Sequence, residues 1–390
     1  MLPNTNDMSR WAVIACDQFT SQPEYWHNVE DIAGDSPSSY RLILPEAMIS
    51  TSGQDTIKRI NSAMNDCIAR NIFTEYRNAY IYVERTLLDG SIRRGVVGTI
   101  DLEEYDYHEG TAPRIRATEE TVKERIPVRM EIRQNAPLEL SHVILLADDE
   151  RRELIEPLTP AKDTMKKLYD FDLMLGGGNI KGWLVTGENL RAFDERMKGY
   201  IERKKEELSL TFAVGDGNHS LAAAKACYEA RTISNPRSRY AMVELENIYD
   251  DALKFEPIHR LVKGVDPDEF IRSFEGAVGV HAGLWPVKYY AHGREGTVYI
   301  DERKGASPLI VLQKYLDSKG FELDYIHGED TLRELSRKAN CVGLEVPAFD
   351  DTAKRNFFSA ISESGTLPRK AFSMGHAQEK RYYLEARRIK

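Results

Sequence analysis

The residues best suited to chemistry lie in the stretch "AVGDGNHSLAAAKACYEA", residues 213–230. Within it Gly215, Asp216, Gly217, Asn218, His219 and Ser220 separate an apolar run from an alanine-rich one. "LTFAVGD" has the character of a buried strand, and the residues from Leu221 onward favour a helix. The turn therefore joins the C-terminal end of a strand to the N-terminal end of a helix. Backbone N–H groups at such a helix start lack intrahelical acceptors, and the helix dipole favours an anion there. Gly215 and Gly217 allow close approach of a ligand to the backbone, and Asn218, His219 and Ser220 can donate hydrogen bonds to phosphate oxygens. A purely structural alternative uses the same residues: Asp216-Gly217 makes the turn, and Asn218 or Ser220 caps the helix. The spacing matches neither the dinucleotide fingerprint G-x-G-x-x-G nor a P-loop.

Other charged residues extend the first reading. Asp17 follows the apolar segment "WAVIAC" and Glu24 lies one or two helical turns later; either carboxylate could hold a metal or take a proton from an attacking hydroxyl. Arg114 and Arg116 are two apart, so an extended segment points both to one side, and their forks suit phosphate. Both pairs also have plain structural uses, in a turn, a helix start or a salt-bridged surface. Gly176, Gly177 and Gly178 form either a loop that closes over a ligand or a linker. Arg369 and Lys370, in "LPRKAFSMG", are placed either to reach an anion or to sit in an exposed turn.

The elements that must position these groups alternate along the chain. Strands are expected at "WAVIAC", at both arms of a hairpin turning at Asp89-Gly90, and at "RIPVRMEI", "SHVILLA", "GWLVT", "LTFAVGD" and "RYAMVELEN". Helices are expected at "SQPEYWHNVEDIA", residues 53–73, "ATEETVKER", "TMKKLYDFDLM", "ENLRAFDERMKGYIERKKEEL" and "SLAAAKACYEAR". A second unit of strands and helices follows a boundary near residue 265, dividing the chain into 1–265 and 266–390. The 390 residues suffice for two domains, and a hydrophobic content of 42% builds a real core. The net charge of −9 argues against a broad nucleic-acid face. Four dispersed cysteines suggest neither zinc nor a disulfide framework. No apolar run is long enough for a membrane span and no secretory leader is visible, so a cytoplasmic protein is the expectation. Self-association into a homo-oligomer is compatible with the sequence, which does not set the number of subunits.

Seven blocks in one order carry a resemblance. "WAVIACDQFTSQPEYW", "IRATEETVKERIPVR", "HVILLADDE", "GGGNIKGW", "AVGDGNHSLAAAK", "RYAMVELENIYDDALKFEPIHRLV" and "LPRKAFSMG" together resemble the prokaryotic domain-of-unknown-function family 1015, over nearly the whole chain. The family signature is of the D-G-H-H-R kind; here it reads Asp216-Gly217-Asn218-His219-Ser220, departing at Asn218 and Ser220. That signature is similar to the box of ParB-like proteins, a superfamily with sulfiredoxin and free-serine kinases. The resemblance implies an α+β fold: a mixed-sheet ParB-like catalytic core, with the phosphate-binding turn at 215–220, and a smaller α/β C-terminal domain. It also implies a kinase for the hydroxyl of free L-serine, with Mg²⁺ on the phosphates and pyrophosphate, ADP or ATP as donor. On this reading Asp216, Gly217, Asn218, His219 and Ser220 cradle the phosphate, and His219 is catalytic. Arg114 and Arg116 clamp the donor, with Lys370 a further cation; Asp17 or Glu24 is the base, and Asp216 touches the metal. Two rivals use the same cradle: a nucleotide- or DNA-linked regulatory protein, and a phosphohydrolase with water as acceptor.

Overall fold

A computed structural model describes residues 1–5, 7–16, 19, 22–49, 52–108, 110–119, 121, 123–208, 210–230, 235–281, 283, 285–304, 307–347 and 351–390. The fold is α+β, and the chain divides into two compact units. The first comprises Met1–Leu253 and Gly375–Lys390, and the second Lys254–Met374. The division thus falls earlier than residue 265, and the last sixteen residues return to the first unit. The reason lies in strand pairing. Phe255–Lys263, read from sequence as the end of the first unit, pairs with Glu322–His327, Cys341–Glu345 and Phe372–Met374.

The first unit is built on a nine-stranded sheet. Its strands in chain order are β1 (Tyr80–Thr86), β2 (Ile92–Asp101), β3 (Tyr105–Asp106), β4 (Ile115–Ala117), β5 (Ile144–Ala147), β6 (Lys166–Asp172), β7 (Asn179–Val185), β8 (Phe212–Asp216) and β9 (Tyr240–Asn247). Across the sheet they run β3-β4-β8-β5-β9-β2-β1-β7-β6. The pairs β3/β4, β4/β8 and β5/β9 are parallel and the rest antiparallel, so the sheet is mixed. Strand alternation assigns the faces. Ile81, Val83, Val97 and Met242 join one core with the N-terminal segment Trp11–Ala15 and with Tyr382–Leu384. Tyr82, Val96, Val243 and Leu245 join another with Phe193 and Tyr200.

The helices of this unit are α1 (Pro23–Ala33), α2 (Gln54–Ala69), α3 (Ile126–Asn135), α4 (Gly187–Glu207) and α5 (Asn218–Glu229), besides one short turn at Leu158–Ala161. Two expectations are reversed. "RIPVRMEI" forms α3, with Pro127 in its first turn and Ile126 packed on Ala222 and Ala223 of α5. Contact with α5 outweighs the period-2 pattern of its apolar residues. "TMKKLYDFDLM" supplies β6, an edge strand paired with β7. Among its described residues, "ATEETVKER" gives the end of β4 at Ala117 and a short 3-10 turn at Lys123–Arg125. The Thr118 hydroxyl donates to the Val214 carbonyl at 2.8 Å and ties the start of this segment to β8. Residues 11–15 of "WAVIAC" are buried, and among the described residues the segment joins no sheet but makes one bridge, from Val13 to Tyr383.

The second unit has its own seven-stranded antiparallel sheet, with Cys341–Glu345 at its centre between Trp285–Ala291 and Phe255–Lys263. Helices Pro267–Val278 and Pro308–Lys319 bury Phe274, Leu312 and Leu316 in its core. Each begins with an N-cap followed by proline, Asp266-Pro267 and Ser307-Pro308, and each cap side chain accepts from a first-turn amide.

Candidate functional site

β8 ends at Asp216, Gly217 is the N-cap, and α5 begins at Asn218. Gly217 has φ +83°, a left-handed conformation that glycine adopts without strain. A Cβ there would lie 2.9 Å from Val143 Cγ2 and 3.0 Å from Val143 Cα. The Gly217 carbonyl accepts from the amides of Ser220 (3.0 Å) and Leu221 (3.1 Å). No side chain caps the helix, so neither Asn218 nor Ser220 has the capping role of the structural alternative. Asn218 Oδ1 is buried and has no hydrogen-bond partner among the described residues. An orphaned buried polar atom is costly, and native structures resolve most of them with a protein, water or ligand partner.

The register Asp216↔Ile144 brings the residues just before β5 alongside this turn. They are Ser141, His142 and Val143, and they are joined there by the returning C-terminal segment. Asp216 Oδ1 accepts from the Gly217 amide at 2.7 Å, and Oδ2 faces Lys380 Nζ at 3.5 Å. His142 Nδ1 and Tyr383 Oη are 2.5 Å apart. A cavity of about 140 Å³ opens beside the turn, lined by Ser220, Arg129, His142, Tyr383 and Ala15 and floored by apolar residues such as Ile132. Burial pushes the His142 imidazole down to about 4; Asp216 opposes this, while Arg129, Arg381 and Lys380 add to it. His142 is therefore neutral at physiological pH.

This shift has a consequence for acid stability. The unfolded imidazole titrates near 6.5 and the folded one near 4. As pH falls through 6.5 the unfolded chain takes up a proton that the folded chain refuses, so stability declines until both forms are protonated below 4. Urea unfolding of the wild type near pH 4 is expected to show a loss of about 3 kcal/mol from this group relative to neutral pH. In His142→Gln that component disappears. An unchanged acid limb in the variant would place its origin in other groups.

Buried arginines fix the C-terminal segment. Arg381 Nε binds Glu244 Oε2 at 2.7 Å, Nη2 binds Glu385 Oε2 at 2.6 Å, and Nη1 donates to the Ser141 carbonyl. Tyr169 Oη donates to the other Glu385 oxygen at 2.7 Å. Arg85 donates to the carbonyls of Glu379 (3.0 Å), Lys380 (2.6 Å) and Gly177, and Arg93 to that of Glu379 (2.7 Å). The triple-glycine stretch is thus a seat for this segment. Its Gly177 carbonyl is held by Arg85, and a Cβ at Gly177 would lie 2.4 Å from the Tyr382 hydroxyl.

The residues singled out from sequence fall in different places. Asp216, Gly217, Asn218, His219 and Ser220 form the turn and the first turn of α5, all partly buried. Asp17 lies outside the described residues; Ala15, two positions before it, lines the cavity. Glu24 is exposed in the first turn of α1. Arg114 does not join the turn. β4 runs parallel to β8, and the Arg114 carbonyl accepts from Thr211 N at 2.7 Å. Arg114 therefore lies level with the start of β8, roughly 16 Å along the strand from Asp216, and its side chain meets Glu104 at 3.5 Å. Arg116 sits opposite Ala213, is buried, and donates from Nε to the Pro113 carbonyl at 3.1 Å; burial lowers its guanidinium pKa. The Arg114 side chain meets Glu104 while the buried Arg116 donates to the Pro113 carbonyl, so the two guanidinium groups have different partners. Lys370 belongs to the second unit, where its carbonyl accepts from Arg260 at 3.0 Å.

Sequence reasoning did not single out His142, Lys380 or Tyr383. A signal existed in the alternation of Arg85, Arg93, Glu244 and Glu246 with apolar residues on strands. It reads as a solvent face, yet all four are buried. Among the described residues no group of three or more His, Cys, Asp or Glu side chains is arranged to hold a metal. Asp216 is the carboxylate at the turn, and both of its oxygens face N–H donors. The described residues at the turn do not by themselves make a protein-held magnesium site.

The first unit is thus an α+β unit whose mixed sheet leads through β8 and the Gly217 bend into the start of α5. The chain belongs to the family described as "Protein of unknown function (DUF1015)", whose profile matches residues 2–388. No curated protein matches the chain. Among solved structures it is similar to C-terminally truncated SbnI from Staphylococcus aureus, at 10% identity and a TM-score of 0.37, covering 72% of this chain and 82% of that one. It is similar to a free serine kinase in complex with AMP, at 11% identity and a TM-score of 0.37, over 74% and 90%. A conserved hypothetical protein from Pyrococcus furiosus is also similar, at 11% identity and a TM-score of 0.34, over 75% and 95%. No residue role in this chain follows from these three likenesses. Among the described residues no helix is long and apolar enough to cross a membrane.

Proposed function

We propose that the protein transfers a phosphoryl group from pyrophosphate or an adenine nucleotide to the hydroxyl of free L-serine, giving O-phospho-L-serine. The observation that carries the anion-binding part is the uncapped start of α5, with the buried Asn218 Oδ1 unpartnered beside it. Phosphoryl transfer asks for positioning and for positive charge around the moving group. The first-turn amides and the ammonium of Lys380 supply both. The serine hydroxyl gives its proton to a carboxylate as its oxygen bonds to phosphorus. The bond from phosphorus to the donor's bridging oxygen breaks, and phosphate or the shortened nucleotide leaves. Asp17 or Glu24 is proposed as that base. Magnesium enters this scheme only as an ion carried by the donor's phosphates, which is its usual manner of binding.

The test is a phosphorus NMR assay of purified protein with serine, magnesium and each of pyrophosphate, ADP and ATP. A phosphoserine signal with one donor is expected. Phosphate release that does not require serine would instead identify a phosphohydrolase, and no turnover with any donor would remove the enzyme reading. His219→Ala is expected to reduce phosphoserine formation about 10²-fold with unfolding unchanged. Near-wild-type turnover in that variant would exclude His219 from the reaction.

A further inference from the structure

The first unit contains a second cavity, at the other end of β8. It encloses about 310 Å³ and shares no lining residue with the cavity beside the turn. Its floor is the sheet, including Val96, Leu145 and Val243, and its wall is the stripe Phe193, Met197 and Ile201 of α4. Those three are spaced i, i+4, i+8 and so share one helix face. Well-packed cores hold few voids larger than a water molecule, and apolar cavities stay dry and accept apolar guests.

Polar groups gather at its mouth. Asp101 is held by Arg239, with contacts of 2.6 and 2.9 Å, and is already neutralised. Arg114 and Glu104 meet at 3.5 Å with their side chains 44% and 49% exposed. A pair this exposed contributes little, so a guest carboxylate can replace Glu104 on the guanidinium fork. The site is therefore apolar within and has one exchangeable cation at its opening. A cavity of about 150 Å³ holds one benzene-sized molecule, so this one suits a chain of roughly ten carbons.

We propose that this cavity binds a medium-chain carboxylic acid, its tail between the sheet and α4 and its carboxylate on Arg114. The proposal does not depend on the phosphoryl-transfer reading. Equilibrium dialysis of decanoate and of decan-1-ol against the full chain tests it. Decanoate is expected to bind more tightly than about 1 mM. Met197→Trp and Ile201→Trp, which fill the space from partly exposed helix positions, should each weaken both ligands at least tenfold, with thermal unfolding as the control for folding. Arg114→Gln should weaken decanoate about tenfold and leave decanol unchanged. The proposal fails if decanoate does not bind the wild type. It also fails if either folded tryptophan variant binds like the wild type, or if Arg114→Gln affects acid and alcohol alike.

Discussion

Arg381→Met is expected to lower the stability of the first unit by about 3–5 kcal/mol. The guanidinium is 3% exposed and lies between Glu244 and Glu385, themselves 7% and 3% exposed. Removing it leaves two buried carboxylates without their shared cation and frees the Ser141 carbonyl, which it also binds. Breaking a buried ion pair from one side costs far more than the intact pair contributes, because the remaining charge is desolvated and uncompensated. Adding Glu244→Gln and Glu385→Gln to Arg381→Met should therefore recover part of the loss. Urea unfolding of the single and triple variants measures both quantities. A loss below about 1 kcal/mol in the single variant would mean that Arg381 behaves as a surface ion. Because Ser141 precedes His142, the substitution should also loosen the edge of the site.

Gly217→Val should reduce pyrophosphate binding at least 10²-fold. Two effects combine. A β-branched residue at φ +83° is a backbone outlier costing of order 1–3 kcal/mol. Its Cβ would also press on the Val143 Cα at 3.0 Å, and backbone cannot swing aside as a side-chain tip can. The turn must then rearrange, and the amides at the start of α5 lose their common direction. Gly90→Val separates the two effects. Gly90 has the same φ of +83°, at the Asp89-Gly90 hairpin turn, with nothing within 4 Å of its Cβ position. That control should pay the torsional cost alone and bind pyrophosphate as the wild type does. Isothermal titration of both variants decides the matter, and equal binding by Gly217→Val and the wild type would remove the turn from the site.

Local chemistry made several features legible. The Asp89-Gly90 hairpin, the strand–glycine–helix join at 212–229 and the proline-started helices of the second unit follow from residues close together in the chain. Each is decided by φ preference, by capping or by an apolar stripe that neighbours can satisfy. The misreadings share the opposite cause. α3 and β6 took the conformation that let Ile126 pack on α5 and the edge strand pair with β7, where their own patterns pointed the other way. The charged alternation of Arg85, Arg93, Glu244 and Glu246 looks solvent-facing until the C-terminal segment covers it.

The sequence by itself therefore determined the bend at Gly217, because only glycine takes that torsion in so little space, and it determined that a helix start would follow. Tertiary structure decided what surrounds that bend. His142 arrives through the antiparallel register of β5 on β8, and Lys380 and Tyr383 arrive from more than 160 positions along the chain, held by Arg85, Arg93 and Arg381. Arg114 was removed by the same means, since a parallel neighbour places it at the wrong end of the strand. Pairing register and burial are properties of distant segments meeting, and no local pattern encodes them.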